Sequence, residues 1–141
     1  MIGEMYGAKR RFCPVISAAI LLAILVVPMA CSGSDSPWVG TTPLEEALSN
    51  GKPTVAEFGA STFVPCKAMK PILEELVAEH GDKLNLSFVD VYERRDVAGE
   101  HEIVSIPTQI FFDSSGQEVA RHVGFWSKEN VLAQLQEMGA L

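Results

Sequence analysis

One pattern constrains this chain more than any other: a long amphipathic helix set between two short apolar runs. From Pro65 to His80, the residues Met69, Ile72, Leu73, Leu76 and Val77 recur at three- and four-residue spacing, and Gly81 closes the segment. Pro71 lies inside it and predicts a kink. Before it, Pro53 to Ala60 carries Val55, Ala56 and Phe58; after it, Lys83 to Val91 carries Leu84, Leu86, Phe88 and Val89. Both runs have the length and content of buried strands. Strand, helix, strand in that order predicts a crossover unit in a sheet covered by helices.

The rest extends this pattern. Thr42-Pro43-Leu44-Glu45 reads as a helix start, with Thr42 as N-cap and Pro43 in the first turn, running to about Ser49 and stopping at Asn50-Gly51. Arg94 to His101 predicts a short helix, and Pro107 to Asp113 a third strand through Ile110, Phe111 and Phe112. Ser114-Ser115-Gly116 predicts a tight turn, with Gln117 to Gly124 as the returning strand. Ser127 to Met138 predicts a final helix, capped by Ser127 and apolar at Val131, Leu132 and Leu135. The expected order is α-β-α-β-α-β-β-α, an α/β fold with a mixed sheet, helices on both faces, and a C-terminal hairpin plus helix.

The first thirty residues read as something other than fold. Lys9, Arg10 and Arg11 precede an apolar run from Val15 to Ala30, the pattern of a signal peptide or signal anchor. Ala30-Cys31 followed by Ser-Gly-Ser-Asp-Ser resembles a bacterial lipoprotein processing site, making Cys31 a lipidation candidate. Lipid attachment, an uncleaved anchor and simple cleavage stay open; each places the remainder outside the cytoplasm, on the periplasmic side. Residues 31–42 read as a tether and 43–141 as the folded domain.

Charge narrows the partners. The 141 residues hold 11 basic and 18 acidic side chains, net −7. The first thirty residues take three of the bases and one of the acids, so the remainder carries 8 and 17, net −9. An acidic domain is a poor partner for nucleic acid and is repelled by anionic lipid, so membrane attachment falls to the N-terminal segment. His80, His101 and His122 are too widely spaced to suggest a metal site, no Gly-rich phosphate loop precedes a helix, and Ser61 and Thr62 lack a hydrolase context. No metal and no cofactor are expected. Glu74, Glu75 and Glu79 read as a solvated helix face, and Trp38 and Trp126 as packing or surface residues.

The stretch Phe58 to Pro71, FGASTFVPCKAMKP, follows a predicted strand and opens a predicted helix. It resembles the thioredoxin family, whose pattern is Phe-x-Ala-x-Trp-Cys-x-x-Cys-Lys-x-x-x-Pro. Phe58, Ala60, Pro65, Cys66, Lys67 and Pro71 fall in register. Ser105-Ile106-Pro107-Thr108 is similar to the family's second signature, in which the proline is cis, and Gly124 falls at a family glycine. The resemblance spans about residues 43–140 and implies a thioredoxin-like fold.

It also implies a loss. The family's first cysteine falls on Phe63 and its tryptophan on Thr62, leaving Phe63-Val64-Pro65-Cys66. In the family the first cysteine attacks a substrate disulfide from the helix N-terminus, and the second resolves the mixed disulfide. Cys66 holds the resolving position alone, so a dithiol cycle cannot close within this domain. Two readings of Cys66 stand open, a functional monothiol or a small buried hydrophobe. The resemblance further implies that Glu57 is a buried acid serving that thiol as proton acceptor. It makes Ile106, Pro107, Val64 and Pro65 candidates for binding an extended peptide by strand addition. The implied partners are protein or peptide thiols and disulfides, and a membrane electron donor. The alternative is a non-catalytic module that holds a peptide or protein beside the cis-proline.

Overall fold

A computed structural model describes residues 38–141. The signal or anchor segment 1–30, Cys31 and the tether through residue 37 lie outside the described residues. The observed order is α1 (Leu44–Ser49), β1 (Thr54–Gly59), α2 (Val64–His80), β2 (Asn85–Asp90), α3 (Arg95–Glu100), β3 (Thr108–Phe112), β4 (Glu118–Val123) and α4 (Lys128–Glu137). That is the expected α-β-α-β-α-β-β-α sequence of elements. The four strands lie in the order β2-β1-β3-β4. β1 runs parallel to β2 and antiparallel to β3, and β3 pairs antiparallel with β4.

The parallel β1–β2 pair requires a crossover, and α2 supplies it. Met69, Leu73 and Leu76 of α2 pack with Val131 and Leu135 of α4 against Val55, Leu86 and Phe111 on one face of the sheet. On the other face, Leu44 of α1 and Val97 of α3 cover Ala56, Phe58, Val89, Ile110 and Phe112. Ser127 caps α4, its hydroxyl accepting from the Asn130 N–H at 3.4 Å. Among the described residues no helix is long and apolar enough to cross a membrane.

Three details differ from the sequence reading. Thr42 does not cap α1: the helix begins at Leu44, Pro43 holds the N-cap place, and no side chain caps it. The Thr42 N–H is committed instead to the Leu86 carbonyl at 2.8 Å, extending the sheet beside β2. Residues 38–42, expected in the tether, pack with the domain. Trp38 is buried and stacks on Phe88 with ring centroids 4.3 Å apart, so an indole's apolar area is taken out of water where a linker was expected. Third, the β3–β4 register slips between Phe111 and Phe112, an irregularity in the hairpin that alternation alone does not signal. α2 is assigned as one helix through Pro71.

Candidate functional site

The site gathers where β1 ends and α2 begins. Alternation along β1 sends Val55, Glu57 and Gly59 toward α2 and Ala56 and Phe58 to the opposite face. Cys66 lies in the first turn of α2 and packs directly over Gly59. A Cβ built on Gly59 would stand 2.8 Å from the Cys66 Sγ, so the thiol takes the space a side chain would need. The Ala60 N–H points at the same sulfur, 3.5 Å away.

Cys66 is fully buried and is the one free cysteine among the described residues. Burial pushes its thiol above the ordinary value, and the carboxyls of Glu57, once ionised, and Asp90 push the same way. The Ala60 N–H opposes them and loses. A first-turn position normally favours a thiolate; here desolvation wins. Cys66 still lines a cavity of about 310 Å³ together with Trp38, Ser61, Lys67 and Lys70. Trp38, read from sequence only as packing or surface, is therefore also a wall of this cavity.

Phe63 is the N-cap residue of α2 and makes no side-chain capping bond. Phe63 is 42% exposed and the neighbouring Val64 is 74% exposed, while Pro65 is half-buried. The place from which a nucleophile would act thus presents an apolar edge to solvent.

Glu57 is fully buried, as expected from sequence. Burial pushes its carboxyl up to about 8, against the lowering pull of the Gln109 hydrogen bond. Gln109 sits directly across the β1–β3 ladder, and its Nε2 donates to Glu57 Oε2 at 2.7 Å. The sequence reading missed Gln109. One polar residue in the apolar strand that follows Pro107 was the available signal, but its partner depends on the β1–β3 register.

The Ile106–Pro107 bond is cis. The β1–β3 ladder ends at Phe58 opposite Thr108, so this bond lies one step beyond, at the same end of β1 as Gly59 and Cys66. The Pro107 carbonyl accepts from the Gly124 N–H at 2.8 Å, and the Thr108 hydroxyl donates to the Ser105 carbonyl at 2.7 Å. Pro107 itself is buried; Ile106 is half-buried and lines a second pocket of about 460 Å³ with Tyr92, Arg95, Ile103 and Val104. The structure therefore brings Cys66, Glu57 and the Ile106–Pro107 bond to one end of the sheet. The histidines stay apart: His101 packs on Phe58 and Phe112, His122 stacks on Trp126, and His80 lies beside Glu79.

Comparison with known proteins follows the same lines. Residues 39–137 match the family model described as Thioredoxin. The chain is 34% identical over 94 residues to a thioredoxin of Alicyclobacillus acidocaldarius, covering 67% of this chain and 89% of that one. A thioredoxin of Mycobacterium tuberculosis is 37% identical over 93 residues, covering 66% of this chain and 79% of the relative. A bifunctional thioredoxin reductase/thioredoxin of Mycobacterium leprae is 38% identical over 93 residues, but the chain spans only 20% of its length. Among solved structures, the crystal structure of thioredoxin NaTrxh from Nicotiana alata superposes with a TM-score of 0.58 at 28% identity, covering 67% of this chain and 80% of that one.

Proposed function

The chain belongs to the thioredoxin family of redox proteins, and from that premise we propose that it is an extracytoplasmic member in which ordinary dithiol exchange is silent. Its clients are protein or peptide segments bearing thiols or disulfides, held at the end of the sheet where Val64 and Pro65 meet solvent and Ile106, joined by its cis bond to the buried Pro107, lines a pocket. The N-terminal segment, or lipid on Cys31, tethers it to the membrane. A membrane electron donor would be needed only if Cys66 cycles.

The observation that carries this reading is the state of α2's first turn. Phe63 occupies the N-cap, and the described domain's one thiol is buried with its acidity suppressed. One sulfur cannot form an intramolecular disulfide, and a neutral buried thiol is a poor nucleophile. The cavity against Cys66 favours a second reading, a monothiol that forms a mixed disulfide with a small partner.

Insulin-disulfide reduction with dithiothreitol separates these readings. It compares a chain starting at residue 32, whose one cysteine is Cys66, with its Phe63→Cys variant. Activity in the variant alone is the expected result. Equal activity in both would make Cys66 an accessible nucleophile and defeat the silent-cycle reading.

A further inference from the structure

The Glu57–Gln109 contact leaves a specific remainder. Gln109 Nε2 donates to Glu57 Oε2 at 2.7 Å, and the other two oxygens of the pair, Glu57 Oε1 and Gln109 Oε1, are buried with no hydrogen-bond partner among the described residues. Both side chains are fully buried and stand directly opposite each other in the β1–β3 ladder. If Glu57 is ionised, both remaining atoms are acceptors, and a buried acceptor without a donor is costly. One proton on Glu57 Oε1 cures both at once, because the new hydroxyl can donate to the amide carbonyl. A carboxylic acid and a primary amide then close a ring of two hydrogen bonds. Turning the Gln109 amide over does not remove the need, since its carbonyl would then face a carboxyl oxygen and still require the proton.

Among the described residues, no positive charge acts on Glu57 to favour the ionised form; the Gln109 hydrogen bond alone opposes burial. From β2, the residue in register with Glu57 is Phe88. From α2, the facing titratable group is the Cys66 thiol, itself held neutral. Asp90, at the end of β2, adds a carboxyl that acts to raise the Cys66 thiol. β3 contributes the neutral amide.

We propose that Gln109 is a positioning residue for Glu57: its amide pairs with the protonated carboxyl, so that the Glu57 proton is shared with Gln109 and not with the Cys66 thiol. The buried acid is thereby a fixed hydrogen-bond donor at neutral pH. This assignment is independent of whether Cys66 reacts, so it survives failure of the silent-cycle reading.

Infrared difference spectroscopy on the full chain, native minus Glu57→Gln, reads the protonation state directly. At neutral pH the native protein should show a protonated-carboxyl C=O band, lowered in frequency by its hydrogen bond, that disappears as the pH passes about 8. In Gln109→Leu the band should persist but move to higher frequency, because the acid keeps its proton by burial and loses its partner. Gln109→Asn, a smaller perturbation, gives the same readout if the Leu variant does not fold. Carboxylate bands in the native protein at neutral pH would overturn the proposal. So would a protonated band that neither Gln109 substitution moves, since burial alone would then hold the proton.

Discussion

Strand β1 faces two ways, and its two sides are built by different rules. Ala56 and Phe58 join Leu44, Val89, Val97, Ile110 and Phe112 in an apolar seam under α1 and α3, where the buried polar groups are un-ionisable: the hydroxyls of Thr54, Ser87 and Thr108 and the Asn85 amide, which donates to the Ala47 carbonyl of α1. Val55 begins the other side in the same manner, against Leu73, Leu86 and Phe111. Two residues later that side changes character: Glu57 meets Gln109, and Gly59 yields its space to Cys66. A buried carboxyl opposite an amide is a poor way to hold a sheet together, because desolvation consumes most of what the hydrogen bond returns. The difference teaches where this domain gathers its buried ionisable groups. The α1/α3 face buries apolar and un-ionisable groups; the far end of the α2 face buries a carboxyl and a thiol, both held toward their neutral forms.

The comparison breaks first at Phe58. Phe58→Ala should cost about 3–5 kcal/mol in denaturant unfolding, the usual loss for a buried aromatic truncated to alanine, while the infrared band of Glu57 stays where it was. Loss of that band along with stability would show that the two faces are not independent.

The pH dependence of stability sharpens the other side. Glu57 titrates near 4.5 in the unfolded chain and at about 8 in the folded one. As pH rises, the unfolded state therefore releases its proton first. The acid costs nothing below about pH 4.5; stability then falls with rising pH and levels off above about 8. The loss is about 5 kcal/mol at most. Urea unfolding across this range should show the decline in the native protein and a flatter profile in Glu57→Gln. A decline unchanged by the substitution would assign the titration to another group.

Much of this arrangement was legible in the residues themselves, for reasons of periodicity. The three- and four-residue spacing of α2 and the apolar runs of β1, β2 and β3 fix element type without knowledge of contacts. Cys66 and Glu57 could be placed at one site because the residues from Phe58 to Pro71 resemble the thioredoxin motif, which implies a buried acid on the strand before it. Gln109 could not, because its meeting with Glu57 is set by an antiparallel register spanning 52 residues of chain. Trp38 was hidden differently: it sits in a Gly/Ser/Pro-rich stretch that reads as linker, and only its stacking on Phe88 brings it into the core. Thr42 has the right residue type for a cap, yet its backbone is taken by the sheet before the helix begins. In each case a long-range contact overrode a sound local signal.

The central claim is that Cys66 is closed to thiol chemistry in the folded domain. Alkylation at neutral pH, followed residue by residue through peptide mass spectrometry so that Cys13 and Cys31 are read apart, tests it most directly. The account predicts that Cys66 stays unmodified in the native protein and reacts fully once denaturant unfolds it. Modification of native Cys66 at the rate of an exposed thiol would contradict the account and return the domain to active thiol–disulfide exchange.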